Sequence, residues 1–348
     1  MNTALQLYDG KLSLITVPIP NIKNGNDVLV KVRFCGICGT DLNIIKGQYP
    51  AAKKIVMGHE FSGIVTAIGK DVKHLSVGDR VCVNPTSWCG TCHYCTRGNP
   101  QFCTKEAMHT AHGFHKDGGF QQYCLLASHL CYKLPEDMPL EQAIFCQPMS
   151  EICRGWDNLG NCDSDAKILV CGAGLIGLQW ASLFHFHGYR DVTITETAEA
   201  RREMAANMHI GYRCVKPKVV RAEADLAEKN CDETWGFDVI IDCTGNPNAV
   251  EYELRWVRKG ATILLFGVCP KGAIVNFEPF QVYAKEVKIV HSYLNKFTYP
   301  KTIRLVSDMA KKYLDWGVLG VKTFSIQDYE EAFSCLDKGE ITKGVFEF

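Results

Sequence analysis

The 348-residue sequence predicts an α/β chain in two parts, one strand-rich and one built on a doubly wound parallel sheet. Three observations carry this. The length exceeds one ordinary domain and fits two. The first half is punctuated by glycine and holds alternating strand-like runs such as "DVLVKVRF". Between residues 165 and 188, "DAKILVCGAGLIGLQWASLFHFHG" runs from a short buried strand through a glycine turn into an apolar helix.

Composition excludes several classes of function. Lys plus Arg equals Asp plus Glu, 38 each, so no basic excess points to nucleic acid. The N-terminal "MNTALQLYDGKLSL" is not a charged segment followed by an apolar one, and no apolar run is long enough to span a bilayer. The expectation is a cytoplasmic protein without membrane or nucleic-acid partners. Hydrophobic residues, at 47%, supply a core for each part.

Along the chain, "CGICGTD" (35–41) and "MGHEFSGIV" (57–65) come first. Cys38 and His59 are good zinc-ligand types beside glycines, which are expected to expose them at element ends. Glu60 adds a carboxylate. Asp41 is expected either to orient a neighbouring ligand or to shape a turn.

Next comes "CGTCHYCTRGNPQFC" (89–103). Cys89, Cys92 and Cys95 are three apart, and Cys103 follows. Four soft thiolates at such spacing can close a tetrahedron around zinc, with Gly90, Gly98 and Pro100 suiting the loop. Disulfides suit an oxidising compartment, a redox pair needs only two cysteines, and nothing suggests the electron-transfer partner of an iron–sulfur cluster. A zinc ion with four protein ligands has no open position, so this site is structural and the chemistry lies elsewhere. The remaining cysteines sit mostly in apolar runs and read as core filling. His109, His112 and His115 lie in a polar loop and read as solvated or pocket-lining residues rather than a third metal site.

In the second half, Gly172, Gly174 and Gly177 form G-x-G-x-x-G. The first allows the turn, the second lets backbone approach a pyrophosphate, and the third permits close helix–strand packing. Leu175 and Ile176 open the helix, whose N-terminus faces the phosphates. The next strand, "DVTITE", ends in Glu196, placed to accept from ribose hydroxyls and to repel a 2′-phosphate, which favours NAD over NADP. Arg201 and Arg202 follow; one could offset that repulsion or pack on adenine. "GFDVIIDCTG" and "GATILLFGV" continue the sheet.

"GICGTDL", "GHEFSGIV", "IGKDVKHLSVGDRV", the four-cysteine loop and "DGGFQQY", in this order and spacing, resemble the zinc-dependent medium-chain alcohol and polyol dehydrogenases. The likeness runs from near the N-terminus to the final "KGVF" and is nearest the sorbitol, galactitol-phosphate, threonine and butanediol dehydrogenase branch. It implies a GroES-like zinc-binding catalytic domain over residues 1–155 and a Rossmann NAD-binding domain over 156–290. Residues 291–348 would return to the catalytic domain.

The resemblance further implies that Cys38 and His59 hold a catalytic zinc, with Glu60 a direct or exchangeable ligand. Gln147 stands where many relatives carry a carboxylate; it either joins the metal's ligands or bonds a water. Cys146, its neighbour in what reads as an extended segment, would point the other way. Thr40 matches the family hydroxyl that accepts the alcohol proton. Asn43 stands where a relay histidine is usual, so proton exit needs another path. The loops at Thr244 and Val268 would flank the cofactor.

The implied reaction interconverts a secondary alcohol (polyol, sugar alcohol or cyclitol) and its ketone with NAD, two zinc ions per chain and a homo-oligomer, dimer or tetramer. A second reading, in which Gln147 and Asn43 mark a catalytically inactive zinc- and nucleotide-binding sensor or scaffold, is opposed by intact Cys38, His59 and Thr40.

Overall fold

The run "DVLVKVRFCGI" forms the strand Asp27–Ile37 in a computed structural model that describes residues 1–348. Its alternating sequence suggests one buried and one solvated face. Most of the strand is instead buried on both, as in a sheet covered on its two faces; its edges are paired along its whole length. Glu60–Ile68 pairs with it antiparallel along one side. On the other side, Tyr123–Ala127 covers its first half and Lys343–Glu347 its last residues. Register shifts near Val30 and Phe34 bend the pairing.

The chain forms two compact units, Met1–Ser150 with Leu294–Phe348, and Glu151–Tyr293. The first holds a mixed sheet in the order Val321–Phe324, Lys343–Glu347, Asp27–Ile37, Glu60–Ile68, Arg80–Val83, Cys131–Lys133, with Tyr123–Ala127 off this path. A smaller antiparallel sheet orders Lys11–Val17, Asn2–Tyr8 and Lys54–Val56. Val30, Val32, Phe61, Phe120 and Phe346 belong to one core, in which the Phe120 and Phe346 rings meet edge to face at 5.0 Å. Chain ends far apart in sequence therefore share this core: Phe346 pairs with Cys35, three residues before Cys38.

The second unit holds a six-stranded, wholly parallel sheet. Its order is Arg213–Val215, Val192–Thr195, Ile168–Cys171, Phe237–Asp242, Val257–Leu265, Lys288–His291. In chain order that is 3-2-1-4-5-6, the doubly wound arrangement whose switch point lies beside its first strand. Ile168–Cys171 is buried throughout, as a central parallel strand must be.

Candidate functional site

Ile37 ends the long strand and Cys38 caps the helix Gly39–Ile45 in an extended conformation. Asp41, at the third helical position, reaches back: its Oδ2 accepts from the Cys38 amide at 2.8 Å. Its Oδ1 stands 3.4 Å from His59 Nδ1. One fully buried carboxylate therefore both shapes the turn at Cys38 and faces the His59 ring. With Asp41 beside Nδ1, Nε2 is the nitrogen left for a metal. Burial works against a charged His59, but the Asp41 carboxylate and the Cys38 sulfur outweigh it and hold its pKa well above the usual value.

His59 is not exposed by its neighbouring glycine, as the sequence suggests; it is buried, with the Phe114 ring tilted against it at 4.8 Å between centroids. The Gly58 φ of +90° turns the chain so that His59 enters the interior. The ligating atoms of Cys38, His59 and Glu60 lie within 4.8 Å of one another. A thiolate, an imidazole and a carboxylate at that separation suit zinc. Thr40 Oγ1 is 3.6 Å from Cys38 Sγ, whereas Asn43 sits exposed on the outer side of the helix, its carbonyl accepting from Gln48 and Tyr49.

One group here escaped the sequence reading. Lys343 is 3% exposed, and its ammonium forms an ion pair with Glu60 Oε2. Burial disfavours its charge, but Glu60 and Cys38 together raise its pKa. Gly36 makes room for the pair: a Cβ there would stand 2.5 Å from Glu60 Oε2. The only sequence signal was a lysine inside the apolar run "ITKGVFEF", too weak to read across 283 residues.

The segment around Gln147 is helical, not extended. Cys146–Leu159 is an α-helix, and Gln147 is buried in its first turn. The preceding turn Leu140–Phe145 packs on the strands that carry Cys38 and Glu60, with Ser62 Oγ donating to Leu140 O at 3.0 Å. Cys146 engages the buried thiol of Cys82, so it has a partner of its own.

Cys89, Cys92, Cys95 and Cys103 bring four sulfurs within 4.8 Å of one another. Cys92 and Cys103 Sγ are 3.9 Å apart. A tetrahedron with Zn–S bonds of about 2.3 Å has edges of about 3.8 Å, whereas a disulfide spans about 2.05 Å. Gly90 and Gly98 take φ of +71° and +72° to wrap the loop. Amides of Cys89 and Glu106 point at Cys103 Sγ at 3.4 and 3.3 Å. The amides of Cys95 and Thr104 lower Cys92 to about 5, while burial and the Cys92 sulfur push Cys95 up to about 12. Four clustered thiols of this kind ionise together only around a cation.

The histidines of the following loop form no such group. His109 and His115 are exposed; His112 is buried, Nδ1 2.7 Å from Asp117 O, and burial lowers its pKa to about 4.

In the second unit the glycine turn has the form its motif requires. Gly172 has φ +97°, and a Cβ on Gly177 would fall 1.8 Å from Gly172 O. A Cβ on Gly174 would meet no atom within 4 Å, leaving open space before the helix Leu175–Phe186, whose N-terminus has no side-chain cap. That is the room and the set of amides a pyrophosphate needs.

Glu196 follows Val192–Thr195 and is buried. Its Oε2 accepts from the Ala173 amide at 2.9 Å and its Oε1 from the Ala198 amide at 2.8 Å. Burial opposes its charge, but these amides and Arg201, 4.0 Å away, hold it below the ordinary range. The Arg202 guanidinium donates to the carbonyls of Glu196 and Thr197. Thr244 and Val268 lie in the loops after Phe237–Asp242 and Val257–Leu265. A crevice of about 710 Å³ near Tyr252, Trp256 and Val257 opens at the opposite ends of these strands and touches none of the glycines.

Residues 24–136 match the alcohol dehydrogenase GroES-like domain, and residues 172–311 match the zinc-binding dehydrogenase family. D-arabinitol dehydrogenase 1 of Uromyces fabae is 30% identical over 94% of this chain and 90% of its own length. A zinc-binding dehydrogenase of Sinorhizobium meliloti 1021, solved with NADP, superposes with a TM-score of 0.87 at 27% identity, covering 100% of this chain and 99% of that one. An alcohol dehydrogenase of Escherichia coli CFT073, solved with NADH, gives 0.86 at 27% identity, with coverage of 100% and 99%. No helix here is long and apolar enough to cross a membrane.

Proposed function

Because the chain belongs to the zinc-dependent medium-chain dehydrogenase family, we propose that it oxidises a secondary hydroxyl of a polyol to the ketone, reversibly, with NAD as hydride acceptor. The observation that carries the reading is the cluster of Cys38, His59 and Glu60 with Thr40 at its edge. Zinc bound there would polarise the alcohol oxygen, and the nicotinamide would take the hydride.

The chain's own residues supply the rest. Asp41 orients His59 and the turn at Cys38. Thr40, beside Cys38, receives the hydroxyl proton. Asn43 cannot titrate, so the proton passes on through a cofactor hydroxyl and solvent. Lys343 neutralises Glu60, which leaves the Cys38 thiolate as the only uncompensated negative ligand. Gln147 in place of a carboxylate would keep that site cationic. Cys89, Cys92, Cys95 and Cys103 hold the second, structural zinc.

The buried Glu196 carboxylate supports NAD over NADP, since a 2′-phosphate would meet its charge. The D-arabinitol dehydrogenase relative supports a polyol. A panel of sugar alcohols and cyclitols, each with NAD and with NADP, tests both points by absorbance of the reduced cofactor. Turnover of at least one polyol, with kcat/KM at least tenfold higher for NAD, is expected. Equal or better use of NADP defeats the role given to Glu196, and no turnover of any polyol defeats the substrate class.

A further inference from the structure

A cluster of acids that this chemistry does not use lies at the C-terminal edge of the parallel sheet. Cys171 and Asp242 are register partners on adjacent strands, so their side chains leave the sheet on one face. Glu253, at the end of the helix Pro247–Glu253, is 1% exposed. It shares a hydrogen bond with the Cys171 thiol, and its Oε2 is buried without a partner.

Asp242 is fully buried and fully engaged. Its Oδ1 accepts from Thr244 N at 2.8 Å and Thr244 Oγ1 at 2.6 Å, and its Oδ2 accepts from Gly245 N at 3.3 Å. Its main-chain carbonyl accepts from the amides of Phe266 and Gly267 at 3.0 and 2.7 Å. One residue thus ties together the loops that end two adjacent strands. Those loops close on the glycine turn. A Cβ on Gly172 would stand 3.5 Å from Thr244 Cγ2, and one on Gly245 would stand 2.6 Å from Val268 O.

Two neighbouring buried carboxyl groups do not both ionise cheaply. Burial raises the pKa of Asp242, but three donors work against it and favour its charge, whereas Glu253 has only a weak thiol donor and so carries the proton. The groups acting on Glu253 are Cys171 and Asp242 of the sheet, with Cys243 and Cys269 of the two loops, and all are acids. Burial first, and then the Asp242 charge, push Glu253 up to about 8.

We propose that Glu253 is a positioning residue for the cofactor: as a neutral acid it lets Asp242 hold the loops 243–246 and 266–268 in their binding shape, and its ionisation couples cofactor release to rising pH. The proposal rests on the nucleotide-binding reading of the glycine turn. A bound dinucleotide requires the loops in this shape and brings the negative charge of its pyrophosphate to the glycine turn beside them, and both raise the cost of a second charge in the row. The bound form therefore keeps the proton to higher pH, and affinity falls by up to about tenfold per pH unit between the two pKa values.

The test is a fluorescence titration of the full chain with NADH, or with NADPH if that binds more tightly at pH 7, from pH 6.5 to 9.5. Absence of binding by both at pH 7 defeats the cofactor reading itself. Wild type is expected to hold a constant Kd up to about pH 8 and then weaken steeply. Glu253→Gln, isosteric and unable to ionise, is expected to bind at pH 7 within about threefold of wild type and to lose the steep limb. A wild-type Kd that stays flat to pH 9.5, or a limb that survives in Glu253→Gln, overturns the proposal. Calorimetry of wild type alone at pH 9, in two buffers of different ionisation enthalpy, does not depend on the variant folding. Proton uptake on binding is expected, and its absence overturns the proposal.

Discussion

Replacing Lys343 by methionine tests whether the second-unit-independent Glu60–Lys343 pair is as buried as its geometry indicates. The change keeps most of the apolar stem, one atom shorter, and removes the charge. Lys343 is 3% exposed and Glu60 1%, so a Glu60 carboxylate left alone has no water to turn to. Removing one member of a buried pair costs about 3–5 kcal/mol, against about 0–1 kcal/mol for an exposed pair. For a unit of about 200 residues, 1 kcal/mol moves Tm by about 2–4 °C, so the loss is about 6–20 °C. The work is done in a Cys38→Ser background, which weakens the metal site and takes the other cation out of Glu60's reach. Circular-dichroism melts of Lys343→Met, Glu60→Gln and the double variant complete a cycle. The double variant should recover more than half of the single loss, because a neutral amide replaces the stranded charge. A loss under about 1 kcal/mol, or a double variant as unstable as Lys343→Met, would refute the reasoning.

Cys92→Ser should lower the zinc content from two ions per chain to one and leave the 89–103 loop open to proteolysis; elemental analysis still finding two would mean that Cys92 is not needed to hold the second ion. His112 is buried neutral, with a folded pKa of about 4 against about 6.5 when unfolded. Its stabilisation, about 3 kcal/mol, is present above pH 6.5 and is lost as pH falls from about 6.5 to about 4, because the unfolded chain takes the proton first. His112→Asn should flatten stability across that window in urea unfolding; an unchanged profile would place the acid sensitivity elsewhere.

The parts of the site legible in the sequence are those whose geometry is local. Cys89 to Cys103 close their cluster within fifteen residues, and Gly172 to Gly177 build their turn within six, so spacing alone constrains where the atoms go. The acid at Glu196 was legible for a related reason: strand length and the parallel register place the end of the second strand beside the turn that ends the first. Cys38, His59 and Glu60 belong to two segments about twenty residues apart, and they became readable only through likeness to a family pattern.

Other features depended on folding. The Cys146–Gln147 segment reads as extended because a proline follows it, yet proline is tolerated in the first turn of a helix, where its missing amide has no partner to lose. His59 looked exposed beside Gly58, but that glycine's positive φ directs the chain inward. Lys343 meets Glu60 only because the last strand pairs with Asp27–Ile37. Glu253 enters the field of Asp242 only because the helix Pro247–Glu253 returns over the sheet's edge. The sequence by itself determined where groups of the type that bind zinc and phosphate lie at short spacing, in the four-cysteine loop and the glycine turn, since that chemistry resides in thiol and backbone amide groups. Only the tertiary structure decided which charges are buried together, because burial and the field of a neighbour depend on what lies across space, and chain distance carries almost no information about it.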